Sequence, residues 1–204
     1  MDIIDVTPDT DTFAGNAFLV LGGRSALVDT SGHPEIVEVV AAHTDTLDAV
    51  VLTHQHWDHA NAISDVVDRF DPDVYAYADH ELRTHAIDDG DTVQLDGETF
   101  EVVYTPGHAA DHVSLVSETT LFAGDVVVHD DAAFDYGSFG RTDRPGQSRE
   151  RLIESINVLL DRLPATVNHL YAGPGDEFHG DVHDLVETAL ARAEKREPKD
   201  PDEQ

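Results

Sequence analysis

The segment THQHWDH, Thr53 to His59, places three imidazoles and one carboxylate within six consecutive positions, directly after the apolar run AVVL. His54 and His56 are two apart, so in extended backbone both point the same way. Asp58 and His59 come as the chain enters the next helix and face a neighbouring point. One loop of this kind can feed two adjacent ions, two imidazoles to one and a carboxylate plus an imidazole to the other. The chain has no cysteine, which excludes disulfides and thiolate ligation. Any metal must then be held by His, Asp or Glu, and imidazole with carboxylate suits zinc, iron or manganese.

Around this loop, apolar runs and turn signals alternate. IIDV, NAFLVL and SALVDT read as strands, with Gly22-Gly23 as a hairpin turn. Residues 34–42 read as a helix with Pro34 at its first position. AVVLT is a buried strand, His59 to Phe70 a helix, VYAYA a strand and DHELRTH a short helix. In the second half TFEVVYT, HVSLVS, TLFAGDVVV and TVNHLYA are strands. Ser148 to Leu163 and Asp181 to Glu194 are helices, and Asp130 to Gln147 is a long connection. Strands followed by helices in two similar halves suggest two sheets packed together with helices outside. The 204 residues suffice for one domain, 1–194, followed by a charged tail, 195–204, expected to be disordered.

The balance of 42 acidic against 12 basic residues gives a net charge of −30. Such a surface repels itself at low ionic strength. At molar salt the Debye length falls to roughly 3 Å and the repulsion is screened. Only two of the basic residues, Lys195 and Lys199, are lysines. The pattern is that of a protein from a salt-loving organism. The acidity also argues against a nucleic-acid partner, since phosphate contacts need cationic patches. With no long apolar stretch and no basic-then-apolar N-terminus, the expectation is a cytoplasmic protein without a membrane partner, acting on a small molecule.

Two further loop signals end predicted strands: TPGH (Thr105 to His108) after FEVVY, and AGD (Ala123 to Asp125) after TLF. With HQHWDH and the later GRTD, they resemble the metallo-β-lactamase superfamily in order and spacing. DTSG (Asp29 to Gly32) resembles its early Asp-Thr-Gly turn, and SFGRTDRPGQS a segment of its glyoxalase II-like branch. The resemblance covers the chain up to its tail. It implies an α/β fold, a four-layer αββα sandwich of two mixed sheets, with the site along one edge. Carried over by motif, one metal takes His54, His56 and His108, the other Asp58 and His59, with Asp125 between them. Two Zn2+ ions are the expected cofactor, with Fe the alternative. A metal-held hydroxide is the implied nucleophile, and Asp58 is the residue placed to orient it.

The pattern breaks at one point. The family's last imidazole comes from a Gly-His-Gly turn, and the equivalent turn here reads AGPGD, with Pro174 where the histidine should be. Shifting the frame offers Asp176, and His179 follows three residues later. Either completes the second site, or water does, or the site holds a single ion. Trp57 is expected to pack under the loop, His112 to support a ligand rather than coordinate, and Arg141 with Asp143 to form an ion pair. Phe134, Tyr136 and Phe139 either line a pocket or pack in the core.

The function implied is a metal-dependent hydrolase of a small thioester or ester, glyoxalase II-like. The alternatives are a mononuclear-iron persulfide dioxygenase-like enzyme, a nuclease or phosphodiesterase of the same fold, and a metal-binding protein with little catalysis. The chain is too short to be expected to carry a separate C-terminal helical domain for gripping glutathione.

Overall fold

The structure, a computed structural model, describes residues 1–10 and 14–199. Of the tail expected to be disordered, positions 200–204 lie outside the described residues. The chain forms two compact units, Met1–Phe100 and Glu101 onward.

In the first unit β1 (Asp2–Asp5), β2 (Phe18–Leu21) and β3 (Ala26–Val28) make an antiparallel meander turned at Gly22-Gly23. Helix α1 (Ile36–Ala41) then crosses to β4 (Ala49–Val51), which pairs in parallel with β3. Helices α2 (Trp57–Ala60) and α3 (Ile63–Phe70) lead to β5 (Asp73–Ala76), and a turn leads to β6 (His85–Ala86). The sheet order is β1-β2-β3-β4-β5-β6, with β5 parallel to both β4 and β6. Val50 and Val51 of β4 are fully buried, as β-branched residues in the middle of a parallel sheet should be. β7 (Thr92–Leu95), which the apolar-run reading passed over, alternates exposed and buried along TVQL.

Two expected elements differ. The helix expected over His59 to Phe70 starts earlier and is broken. The Asn61 side-chain amide donates to the Gly32 carbonyl at 3.0 Å, and the Ala62 amide to that of Ser31. Those tertiary bonds pin the chain between α2 and α3. DHELRTH does not form a helix. The His80 ring accepts the Leu82 amide, and the Thr84 hydroxyl accepts the Val74 amide at 2.8 Å, so the segment turns and joins the sheet as β6. Side chains that bond nearby backbone compete with helix formation in this way.

Into the second unit runs β8 (Glu98–Tyr104), followed by β9 (Val113–Val116), β10 (Thr120–Gly124), and the short pair β11 (Val127–Val128) and β12 (Ser138–Phe139). Helix α4 (Arg149–Arg162), β13 (His169–Ala172), β14 (Phe178–His179) and α5 (Val182–Glu194) complete it. The sheet order is β14-β13-β10-β9-β8-β7. Ser148 caps α4 by accepting the Arg151 amide, and Asp181 caps α5 by accepting that of Asp184. Leu152, Ile156 and Leu159 lie on one face of α4, fully buried with Leu185, Val186 and Ala189 of α5. Each large apolar side chain removed from water this way contributes about 1.5–3 kcal/mol.

Register decides where chemistry can gather. In the first unit Val28 pairs with Val51, so the loops after β3 and β4, which begin with Asp29 and Leu52, leave the same edge. In the second, β10 runs parallel to β13 with Gly124 opposite Ala172, while β9 is antiparallel to both β8 and β10. The loops after β8, β10 and β13 therefore share an edge, and they contain His108, Asp125 and Pro174. Carboxyl ends of parallel strands are the usual place for a site in an α/β fold. No helix among the described residues is long and apolar enough to cross a membrane.

Candidate metal centre

In the first unit the backbone turns from extended at His56 into α2, swinging Asp58 and His59 away from the strand direction. His54 and His59 are each only 1% exposed, and their ring centroids are 4.1 Å apart. His54 Nε2 faces His56 Nδ1 at 3.2 Å. The centre of this arrangement is Asp29, in the left-handed region at φ 59. Its carboxylate accepts the Thr53 amide, the Thr53 hydroxyl at 2.7 Å and His59 Nδ1 at 2.8 Å. Since the one Thr53 hydroxyl proton goes to Asp29, Thr53 Oγ1 accepts from His54 Nδ1 at 3.1 Å. Both rings are thereby held as tautomers whose Nε2 keeps its lone pair, as a ligand requires. Gly15 belongs to the same design. A Cβ there would stand 2.6 Å from the Asp58 carbonyl oxygen and 3.1 Å from His59 Nε2.

In the second unit His108 donates from Nδ1 to the Arg141 carbonyl at 3.0 Å, which again leaves Nε2 as the unprotonated ring nitrogen. That Nε2 lies 3.3 Å from Asp125 Oδ2. Asp125 is held by its backbone. Its amide donates to His112 Nε2 at 2.8 Å, and His112, fully buried, is steadied through Nδ1 by Thr105. His112 thus braces the backbone of Asp125. Gly140 lets the loop carrying Arg141 approach, since a Cβ would sit 1.7 Å from the Asp125 carbonyl oxygen. Arg141 forms the expected pair with Asp143, with two bonds of 2.8 and 2.6 Å. That hydrogen bonding holds the Asp143 carboxyl down at about 2. A depressed carboxyl stabilises the fold above its unfolded value of 3.8, and the pair is lost as pH falls toward 2.

The first unit presents His54, His56 and His59 as potential ligands, and the second presents His108 and Asp125. The donor set fits the expected metals: imidazoles and a carboxylate, nearly all buried, with no thiolate. Asp58 stands beside this set, its Oδ2 3.9 Å from His59 Nε2 and its side chain 17% exposed.

Of the two substitutes offered for Pro174, His179 is placed elsewhere. His179 pairs with His169, which lies opposite Thr120 at the far end of β10 from Asp125. Four residues of strand separate the two ends, about 13 Å at the usual rise. Asp176 is exposed, and its amide donates to the Asp130 carboxylate at 3.0 Å. The turn itself is correctly seated, because the Gly173 amide donates to the Gly124 carbonyl at 2.9 Å. Trp57 does not pack under the loop. It is 54% exposed, lying against Gly32, where a Cβ would approach the indole to 2.6 Å. Phe139 is core, and Phe134 and Tyr136 pack against it.

The metallo-β-lactamase superfamily model matches residues 10–204. The chain belongs to that superfamily. Its two mixed sheets with their helices are the superfamily's fold, consistent with the expected sandwich. Over 155 residues it is 35% identical to the hydroxyacylglutathione hydrolase of Salmonella typhi, a match covering 73% of this chain and 58% of that protein. The chain thus spans less than two thirds of the curated relatives it matches. Among solved structures, TTHA1623 in a di-iron-bound form is 26% identical with a TM-score of 0.69, over 93% of this chain and 98% of that one. ETHE1 from Myxococcus xanthus, at 21% identity, shares the fold with a TM-score of 0.74 over 99% of this chain and 94% of that one.

Proposed function

We propose that the chain hydrolyses a small thioester or ester of the hydroxyacyl type at a dinuclear centre. The first ion is assigned to His54, His56 and His108, and the second to Asp58, His59 and Asp125, with Asp125 reaching both. Zinc is the metal proposed, and iron the alternative that the same donors suit. The observation that carries the reading is the fixed tautomer of three imidazoles. Thr53 Oγ1, Asp29 and the Arg141 carbonyl each take one Nδ1–H, leaving Nε2 of His54, His59 and His108 as ligands. Bound ions there would bring the pKa of water to about 7 and polarise a substrate carbonyl. Asp58 is assigned the role of accepting a hydrogen bond from the attacking water. The kinship with hydroxyacylglutathione hydrolase supports the thioester class.

The test is hydrolysis of a hydroxyacyl thioester of glutathione, compared with a phosphodiester, by metal-loaded protein. Thioester turnover that disappears with chelation supports the proposal. Phosphodiester cleavage without thioester turnover contradicts it.

The second ion lacks the imidazole that Pro174 displaces, so it is held more weakly than the first. Because the turn is seated beside Asp125, Pro174→His restores a ligand at that end of β13. Affinity for the second ion should rise by about tenfold or more, on the scale of a change in ligand support. Unchanged stoichiometry would remove Pro174 from the site.

A high-salt setting in the cytoplasm is also proposed, on the net charge of −30. Dilution from molar to roughly 0.1 M salt lengthens the Debye length from about 3 to about 10 Å. The melting temperature should fall accordingly. A melting temperature indifferent to salt would count against this setting.

A further inference from the structure

We propose that His169 and His179 form a separate, peripheral site for a divalent transition-metal ion, clamping β14 to β13. The two residues are direct partners across the antiparallel pair. The Gly180 amide donates to the Asn168 carbonyl at 2.9 Å, so the ladder bond falls at the neighbouring position. His169 and His179 therefore occupy a non-hydrogen-bonded pair, where facing side chains stand closest. Their Nδ1 atoms face each other at 2.5 Å, with ring centroids 4.7 Å apart and planes at 76°.

The other nitrogen of His179 is also spoken for. Its Nε2 lies 3.4 Å from a Glu177 carboxylate oxygen. A carboxylate on the far ring nitrogen fixes the tautomer and raises the basicity of a ligating imidazole. With the His179 proton on Nε2, its Nδ1 accepts, and His169 Nδ1–H is the donor between the rings. An ion replaces that one proton. His169 shifts its proton to its own Nε2, and both Nδ1 lone pairs point at the metal. Metal–nitrogen bonds of about 2.0–2.1 Å place adjacent ligand atoms roughly 3–3.4 Å apart, so the rings need to part by less than about 1 Å. Water fills the remaining positions, since the His179 side chain is 47% exposed.

The site is distinct from the centre at Asp125, one strand length away. Its consequence is local. The turn from Gly173 to Asp176 joins these two strands, so an ion here would tie down the loop that carries Pro174.

The test is Ni2+ binding by the full chain with its central ions in place, read by equilibrium dialysis and elemental analysis. One additional Ni2+ per chain is expected in the parent. In His169→Gln and in His179→Gln its affinity should fall by at least about tenfold, since even an outer partner of a ligand is worth that much. Cu2+ in place of Ni2+ should give an electron paramagnetic resonance spectrum with two nitrogen ligands in the parent and one in either variant. Far-UV circular dichroism checks that both variants are folded. Equal Ni2+ uptake by the parent and both variants overturns the proposal. So does uptake that survives His179→Gln but vanishes in His54→Ala, which would assign the ion to the central site.

Discussion

A His54→Ala variant is expected to purify without its first ion and to lose about three orders of magnitude or more in hydrolysis. His54 is assigned to the first ion, and its loss leaves that ion with His56 and His108 alone. The ions are asked to supply several kcal/mol of transition-state stabilisation, and each 1.36 kcal/mol is about tenfold in rate. Truncation of a side chain only 1% exposed also leaves a hole beside Thr53 and His59. Melting and circular dichroism must therefore accompany the assay. A folded variant with near-parental activity would dismiss the ligand assignment.

Asp29→Ala should produce the second-largest change, acting on stability and metal affinity together. Asp29 accepts three hydrogen bonds in the buried turn between β3 and its crossover. Removing it strands the Thr53 amide and His59 Nδ1, at about 1–3 kcal/mol for each buried donor left without an acceptor. The alanine must also adopt φ 59, which favours asparagine or aspartate over alanine. Freed from Asp29, His59 can flip or change tautomer, and metal affinity should drop about 10–100-fold. Asp29→Asn separates the two effects. It tolerates the backbone and keeps one acceptor, so stability should recover further than metal affinity does. If Asp29→Ala binds metal as the parent does, the tautomer argument fails.

The proposed ligands are legible because their types are rare and their spacing local. HQHWDH, TPGH and AGD announce themselves without a structure. What supports them was not legible. The Asp29 contacts with Thr53 and His59 span 24 and 30 positions and exist only because Val28 pairs with Val51. DTSG marked the turn but not its use. His108 leans on a backbone carbonyl, that of Arg141, to which residue type gives no clue.

The errors have the same origin. Trp57 looks like core by composition, but α2 begins at it and aims it outward across Gly32. DHELRTH has helical composition, yet Thr84 and His80 bond backbone instead. His179 looked like a spare ligand at the right distance along the chain. Strand register carries it to the wrong end of β13 and gives it a different partner.

The metal content of protein purified in high salt with no metal added tests the dinuclear assignment most directly. Elemental mass spectrometry on the His179→Gln background leaves only the central site to count. The predicted result is close to one zinc per chain as purified, rising toward two as zinc is added, and the tighter ion lost in the same protein carrying His54→Ala. Protein that holds no transition metal under any loading, or the same amount with and without His54, would contradict it.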